Sequence, residues 1–442
     1  MMMDRRAGPL FTDLYELTMA ASYFAHGVFG SATFSLFIRD KRFTRNFFVA
    51  AGLEQVLEEL AAFQFSERDT DYLRATGRFS TDFIEYLKQL KFTGDVYAMP
   101  EGEIFFASEP VIEITAPIIE AQIIETFLLN TIGFQTMIAS KAARCVHTAA
   151  GRPLIDFSLR RTQGQDAGLN VARSTYIAGF EATSNVLAGQ KYGLPISGTM
   201  AHSYVSAFAS EREAFSAYSE TFPDHSIFLI DTYDTLEGAR QAVAVAGEME
   251  KKGHALVGVR LDSGDMVSLS RGVRKILNDA GFYHVKIFAS SGFDEFKIAR
   301  VVSEGAKIDA FGVGTNVGVS ADAPFVDIVY KLVRYKGRDV RKLSPGKRTL
   351  AGEKQVFRKS DTNGRYREDV IGLRSEAIDD GIPLLEKVMK DGKVLRSHPS
   401  LAAIQSRFRS GFALLPDTYK SVHDHTPYPV KLSRRLELLQ QT

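Results

Sequence analysis

The chain of 442 residues has no tryptophan and a single cysteine, Cys145. One thiol cannot close an intrachain disulfide, and it cannot build a cysteine cluster for zinc or an iron–sulfur centre. A reducing, cytoplasmic setting is the expectation. An excess of charge of one sign is also missing, since 54 Lys+Arg stand against 53 Asp+Glu for a net charge of +1. Proteins that grip nucleic acid show a basic excess or a basic face, so no nucleic-acid partner is expected. Long apolar runs are absent too. The most apolar stretch, Pro110 to Phe134, is broken by Glu113, Glu120 and Glu125. A membrane span needs about 20 mostly apolar residues, so this stretch reads as a strand followed by a buried helix. The first residues, Met1-Met-Met-Asp-Arg-Arg6, lack the apolar core of a signal peptide. A soluble chain without a membrane partner is expected.

What is present is ordinary for a folded protein, with 45% hydrophobic and 24% charged residues. A chain this long buries a large core without covalent staples. At about 150 residues per domain, two or three domains are expected.

Three textures follow one another. Residues 1–150 mix helices and strands: Leu14–Tyr23 and Gly52–Phe63 have helical spacing, while Glu103–Ala107 and Pro110–Thr115 read as short strands. Residues 151–335 are regular. Short apolar runs begin at Pro153, Leu194, Ser226, Ala255, His284 and Ile308, each followed by a polar loop. Amphipathic helices are predicted at Leu236–Lys251, Leu269–Ala280 and Glu295–Glu304. Alternating β and α units imply parallel strands with helices outside. The expected architecture is an irregular parallel α/β barrel. In residues 336–442, Asn363-Gly364 and Asp391-Gly392 each separate two strand-like runs. Such dipeptides tolerate the positive φ of a tight hairpin turn. This β-rich piece is expected to pack with residues 1–150 as one α+β domain built from both chain ends.

The polar residues fall at the carboxyl ends of the predicted barrel strands, where barrel active sites lie. The endings are Asp156-Phe-Ser-Leu-Arg160-Arg161, Gly198-Thr199-Met-Ala-His202, Asp231-Thr-Tyr-Asp234, Arg260-Leu-Asp262-Ser263-Gly264-Asp265, Ser290-Ser-Gly292 and Gly312-Val-Gly314-Thr315-Asn316. Six such endings on one rim point to a large polar ligand. The last two resemble phosphate cradles, because glycine lets backbone N–H groups approach an anion; they also read as plain turns. Arg160, Arg161 and Arg260 are forks for carboxylate or phosphate, or partners in salt bridges to Asp156 or Asp262. Asp262 and Asp265 suit Mg²⁺ or a developing cation, although Asp265 also suits a helix cap. His202 is either a rim imidazole with a chemical role or a structural histidine. His423 and His425 sit in a Pro-rich, near-terminal context that favours a solvated tail over a metal site. Cys145, on a predicted helix, reads as packing.

These motifs resemble the nicotinate phosphoribosyltransferase family. The resemblance runs over nearly the whole chain, in order: Thr12-Asp-Leu-Tyr15-Glu-Leu-Thr-Met, Pro100-Glu-Gly, Leu159-Arg-Arg-Thr-Gln-Gly, Ala178-Gly-Phe-Glu-Ala-Thr-Ser-Asn185, Gly198-Thr-Met-Ala-His-Ser203, Gly258-Val-Arg-Leu-Asp-Ser-Gly-Asp265, Gly312-Val-Gly-Thr-Asn316 and Lys342-Leu-Ser-Pro-Gly-Lys347. It implies the fold described above and a homodimer with its active site at the subunit interface. It implies that nicotinate and phosphoribosyl pyrophosphate give nicotinate mononucleotide and pyrophosphate. It implies ATP hydrolysis coupled through phosphorylated His202, with Mg²⁺ accompanying the pyrophosphate.

Carried onto matching positions, the resemblance has Tyr15 and Phe157 stacking on the pyridine ring, with Tyr15 reaching the neighbouring subunit. Thr199 and Arg260 touch nicotinate or the ribose pyrophosphate. Asp262 sits near the reacting ribose carbon. Arg160 and Arg161 hold the pyrophosphate or the nicotinate carboxylate. Ser263, Gly264, Gly292, Gly314 and Thr315 bind phosphoribosyl pyrophosphate. Ser184 stands where nicotinamide-using relatives place an aspartate, so the acid is the favoured substrate. Ser158 and Ala182 stand where glycine is common. A related enzyme for nicotinamide or quinolinate, a catalytically silent binding relative, and a generic phosphate-binding barrel enzyme are the alternatives.

Overall fold

The computed structural model describes residues 8–39, 45–342 and 349–441. The Lys342–Lys347 motif therefore lies, after Lys342, outside the described residues. The chain forms two compact units, Met1–Met137 with Phe325–Thr442, and Ile138–Pro324. The division falls inside the helix Glu125–Thr148.

The first unit is built from both ends of the chain. Its seven-stranded sheet orders the strands 338–339, 328–335, 31–38, 110–117, 95–98, 386–390 and 393–394. Strand Ser31–Ile38 is buried at nearly every position and pairs antiparallel with Ile328–Tyr335 and Pro110–Pro117. Phe34 stacks on Tyr330 with ring centroids 4.7 Å apart. Both glycine turns form hairpins as expected: Lys354–Ser360 pairs with Tyr366–Leu373, and Glu386–Lys390 with Lys393–Val394. Asp391 and Gly392 have φ of 50° and 71°, the two positive values a two-residue turn needs. The apolar stretch from Pro110 becomes a strand to Pro117 and then helices from Ile118 and Glu125. Among the described residues no helix is long and apolar enough to cross a membrane.

The second unit carries a six-stranded parallel sheet. Its strands are β1 (Leu154–Asp156), β2 (Ala182–Thr183), β3 (Ile227–Leu229), β4 (Gly258–Leu261), β5 (Lys286–Ala289) and β6 (Ala310–Val313), in the order β2-β1-β6-β5-β4-β3. β1, β3 and β6 are buried throughout, the pattern of parallel strands covered on both faces. The sheet is a curled half-barrel rather than a closed ring, because β2 and β3 are edges. Two details differ from the sequence reading. Leu194–Gly198 is not a strand; Ile196 forms one isolated bridge to Thr183. Pro195 removes a ladder donor from that run. The short strand β2 has no apolar run to announce it.

The helices after β3, β4 and β5 begin on aspartates. Asp234 caps Thr235–Lys251, Asp265 caps Met266–Asp279 and Asp294 caps Glu295–Ser303, each accepting backbone N–H bonds in the first turn. These helices match the predicted ones to within a few residues. Cys145 is fully buried in its helix.

Candidate active site

Strands β3 and β4 are neighbours, and their carboxyl ends bring three polar groups together. His202 opens the short helix His202–Val205 and is half-exposed. Its Nδ1 lies 3.2 Å from Thr232 Oγ1, just after β3. Its Nε2 lies 3.9 Å from Asp262 Oδ2, just after β4. Arg260, on β4, donates from Nη1 to Thr199 Oγ1. Burial pulls the Arg260 guanidinium below the usual arginine range; Asp262 and Asp231 oppose this, and Arg160 adds to it. Arg260 Nε is buried without a partner, a donor left for a ligand.

Asp262 is held from two sides. Its Oδ1 accepts the Ser290 hydroxyl. Its backbone N–H donates to Asp231 Oδ2 at 2.9 Å, and the same oxygen accepts Ser263 Oγ at 2.6 Å. Asp262 Oδ2 is thereby turned toward His202.

A second group surrounds β1. Asp156 is buried and accepts Ser158 N at 2.9 Å and Thr183 Oγ1 at 2.8 Å. Burial raises its carboxyl above the usual range, and these bonds work against that. Ser184 is half-buried and donates its N–H to the Asp156 carbonyl at 2.8 Å. The Phe157 ring lies over Gly312, where an added Cβ would come within 2.5 Å of it. Arg160 and Arg161 lie in the exposed turn Leu159–Arg161. Among the described residues neither forms a salt bridge, so the pairing with Asp156 or Asp262 offered by the sequence is not made. Ser158 has φ −88°, a conformation open to any residue, so serine there imposes no backbone strain.

The phosphate-cradle sequences follow β5 and β6. Gly292 and Gly264 adopt φ of +60° and +82°, left-handed values that suit glycine. Ser263 and Thr315 are exposed, and a Cβ added at Gly314 would come within 3.2 Å of the Phe157 carbonyl oxygen. Of the two readings for Asp265, the structure shows the helix cap: its two oxygens accept Val267 N and Ser268 N of the next helix.

Tyr15 belongs to the other unit. Its helix Leu14–Ala25 is anchored by buried Glu16, which accepts Thr12 Oγ1, Thr126 N and Thr126 Oγ1 at 2.5, 2.9 and 2.5 Å. That anchoring leaves Tyr15 46% exposed beside exposed Phe11 and Leu14. Among the described residues no group of three or more His, Cys, Asp or Glu converges on a metal position. His423 and His425 are exposed near the chain end.

Comparison with known proteins places this geometry. Models of the nicotinate phosphoribosyltransferase N-terminal domain, family core and C-terminal domain match residues 10–133, 153–363 and 380–440. Nicotinate phosphoribosyltransferase pncB2 of Mycobacterium tuberculosis is 45% identical, over 99% of this chain and 94% of that protein. The chain belongs to the nicotinate phosphoribosyltransferase family. The nicotinate phosphoribosyltransferase of Bacillus subtilis is 39% identical, over 96% of this chain and 92% of that protein. The crystal structure of human nicotinic acid phosphoribosyltransferase superposes with a TM-score of 0.87 at 29% identity, covering 97% of this chain and 99% of that one. The chain is thus an enzyme with the nicotinate phosphoribosyltransferase architecture.

Sequence reasoning gave no separate role to several residues of this candidate site. Asp231, Thr232, Ser290 and Asn316 all stood in the strand-end runs, but only the structure shows what they hold. Lys297 stood inside a predicted helix and carried no signal at all.

Proposed function

We propose that the chain joins nicotinate to phosphoribosyl pyrophosphate, with ATP hydrolysis coupled through phosphorylation of His202. The observation that carries this reading is the meeting of His202, Thr232 and Asp262 at the ends of adjacent strands, with Arg260 beside them. The pyridine nitrogen attacks the ribose C1 as the bond from C1 to the pyrophosphate oxygen breaks, and the electron pair departs with pyrophosphate. Positive charge develops on the ribose, and a fixed carboxylate stabilises it. Asp262 is that carboxylate, because two neighbours hold it in place. Arg260, Arg161 and Arg160 meet the anionic groups, where charge-assisted bonds are strongest. The Gly264, Gly292, Gly314 and Thr315 loops, with Ser263, take the phosphates.

His202 keeps Nδ1 on Thr232, which leaves Nε2 as the nitrogen for the phosphoryl group. Mg²⁺ suits one or two carboxylates plus ligand phosphates. Asp262 would be the carboxylate nearest such an ion, which would be held largely by the pyrophosphate oxygens and would neutralise their charge. Phe157 and Tyr15 sandwich the ring, Tyr15 being supplied by the second subunit of a homodimer. The exposed Phe11, Leu14 and Tyr15 support that assembly. Ser184 favours the acid over nicotinamide, since it brings no negative charge against a carboxylate. A cytoplasmic setting accords with the single, buried thiol.

The test is turnover of nicotinate or nicotinamide with phosphoribosyl pyrophosphate and Mg²⁺, with and without ATP. Nicotinate mononucleotide formation stimulated by ATP is expected. His202→Ala should retain a slow ATP-independent reaction and lose the stimulation. Equal stimulation in that variant overturns the coupling role, and preferred turnover of nicotinamide overturns the substrate assignment.

A further inference from the structure

The loop after β5 does not hold its own shape. Ser291 has φ +103° and Gly292 φ +60°; for serine this is a backbone conformation that needs outside support. Two side chains from different elements supply it. Lys297, in the first turn of the helix Glu295–Ser303, donates from Nζ to the Ser291 carbonyl at 2.5 Å. Asn316, after β6, donates from Nδ2 to the Gly292 carbonyl at 3.0 Å. A trans peptide is planar, with its C=O and N–H opposed, and among the described residues no peptide bond is cis. Drawing these two carbonyls toward Lys297 and Asn316 turns the amides of Gly292 and Phe293 the opposite way. Among the described residues no hydrogen bond uses either amide. Successive outward amides form a concavity for an anion.

Lys297 is itself braced. Its Nζ lies 4.7 Å from the Phe293 ring centroid, a cation–π distance. The helix that carries it is pinned at its start by Glu295, which is fully buried and paired with Arg144 at 2.8 Å and with Lys141. Burial and Arg300 pull the ammonium below the usual lysine range, while Asp294 and Asp262 favour its charge.

We propose that Lys297 is a positioning residue for the 5′-phosphate of phosphoribosyl pyrophosphate: with Asn316 it fixes two successive carbonyls, so that the Gly292 and Phe293 amides face that phosphate. The proposal rests on the reading of this rim as the phosphoribosyl pyrophosphate site, and it adds a residue that the strand-end motifs do not contain.

Steady-state kinetics of the full-length wild type, Lys297→Met, Lys297→Arg, Asn316→Ala and the Met/Ala double variant test it. Product formation by the wild type checks the underlying reading separately. In Lys297→Met the KM for phosphoribosyl pyrophosphate should rise about tenfold or more, a loss of one strong positioning contact. The KM for nicotinate and kcat should stay near wild type. Lys297→Arg should recover most of the loss. Asn316→Ala should show the same split, and the double variant should lose less than the product of the single effects, because both ties act on one loop. Calorimetric binding of phosphoribosyl pyrophosphate should weaken in parallel. An active wild type with an unchanged KM for phosphoribosyl pyrophosphate in Lys297→Met overturns the proposal. So does a loss spread equally over both substrates and kcat.

Discussion

Asp231 carries the loop that presents Asp262. One oxygen of Asp231 accepts both the Asp262 backbone N–H at 2.9 Å and the Ser263 hydroxyl at 2.6 Å. Its other oxygen is buried without a partner. The proposed catalytic carboxylate is therefore placed by a second carboxylate on the adjacent strand end.

This relationship makes a graded prediction. Asp231→Ala leaves a backbone N–H and a hydroxyl unpaired, a cost of about 1–3 kcal/mol each at most. We expect kcat/KM to fall by about 10- to 100-fold, mainly through kcat. Asp231→Asn retains an oxygen for the Asp262 N–H and should lose distinctly less. Equal losses in the two variants would show that charge at Asp231, not its hydrogen bonds, is what counts.

Glu211 gives a pH prediction. It opens the helix Glu211–Thr221, is buried, and has an unpartnered Oε1. Burial first, then Asp231, Asp234 and Glu237, push its carboxyl up to about 7. An acid raised in the folded state favours folding fully only below its unfolded pKa, and that favour is lost as pH rises through the folded value. Glu211→Gln, which stays neutral, should thus gain thermal stability over wild type between about pH 5 and pH 8, with no further gain above. A gain of several degrees is expected, at about 2–4 °C per kcal/mol for a unit of this size. Parallel melting curves of the two proteins against pH would refute the assignment.

Ser184 gives a specificity prediction. Its backbone is fixed by the Asp156 carbonyl at 2.8 Å, so a substituted side chain starts from the same place. Ser184→Asp sets a carboxylate toward the nicotinate carboxylate. At about 6 Å and an effective dielectric of 20, that repulsion is about 3 kcal/mol, or about 100-fold in KM for nicotinate. Use of nicotinamide should fall far less or improve. Competition between the two bases measures this directly, and an unchanged ratio would remove Ser184 from the pocket.

The sequence made the strand ends legible because buried parallel strands are short apolar runs, and polar residues after them stand out. Arg260 and Asp262 were found in that way; His202 was noted after the run Leu194–Gly198, which forms no strand, yet the structure sets it 3.9 Å from Asp262. Asp231, Thr232 and Ser290 were visible as polar residues, but their hydrogen bonds join strands far apart in sequence. Lys297 was illegible because a lysine one turn into an amphipathic helix looks like any solvated lysine. Asp265 carried two readings, because an acidic residue in a rim motif is also the preferred N-cap, and in the structure its two oxygens cap the next helix. The strand expected over Leu194–Gly198 failed at Pro195. The hairpins succeeded because Asn-Gly and Asp-Gly act locally.

Gly312 offers the sharpest test of the aromatic wall. It lies on β6, is not in the positive-φ region, and faces the Phe157 ring, so substitution there acts through space alone. An added methyl group would come within 2.5 Å of the ring and 3.3 Å of Ser290 Cβ. The ring is the softer neighbour, because Phe157 is half-buried while Ser290 is fixed on Asp262. Gly312→Ala should therefore displace the ring before it disturbs the carboxylate. The expected outcome is a rise of about tenfold in the KM for nicotinate, with a smaller change for phosphoribosyl pyrophosphate, since ring stacking is worth about 0.5–1.5 kcal/mol beyond burial. Phe157→Leu should reproduce the effect, and adding it to Gly312→Ala should cost little more. If Gly312→Ala instead lowers kcat for both substrates equally, the strain has passed to Ser290 and Asp262, and Phe157 is not the face on which the pyridine ring rests.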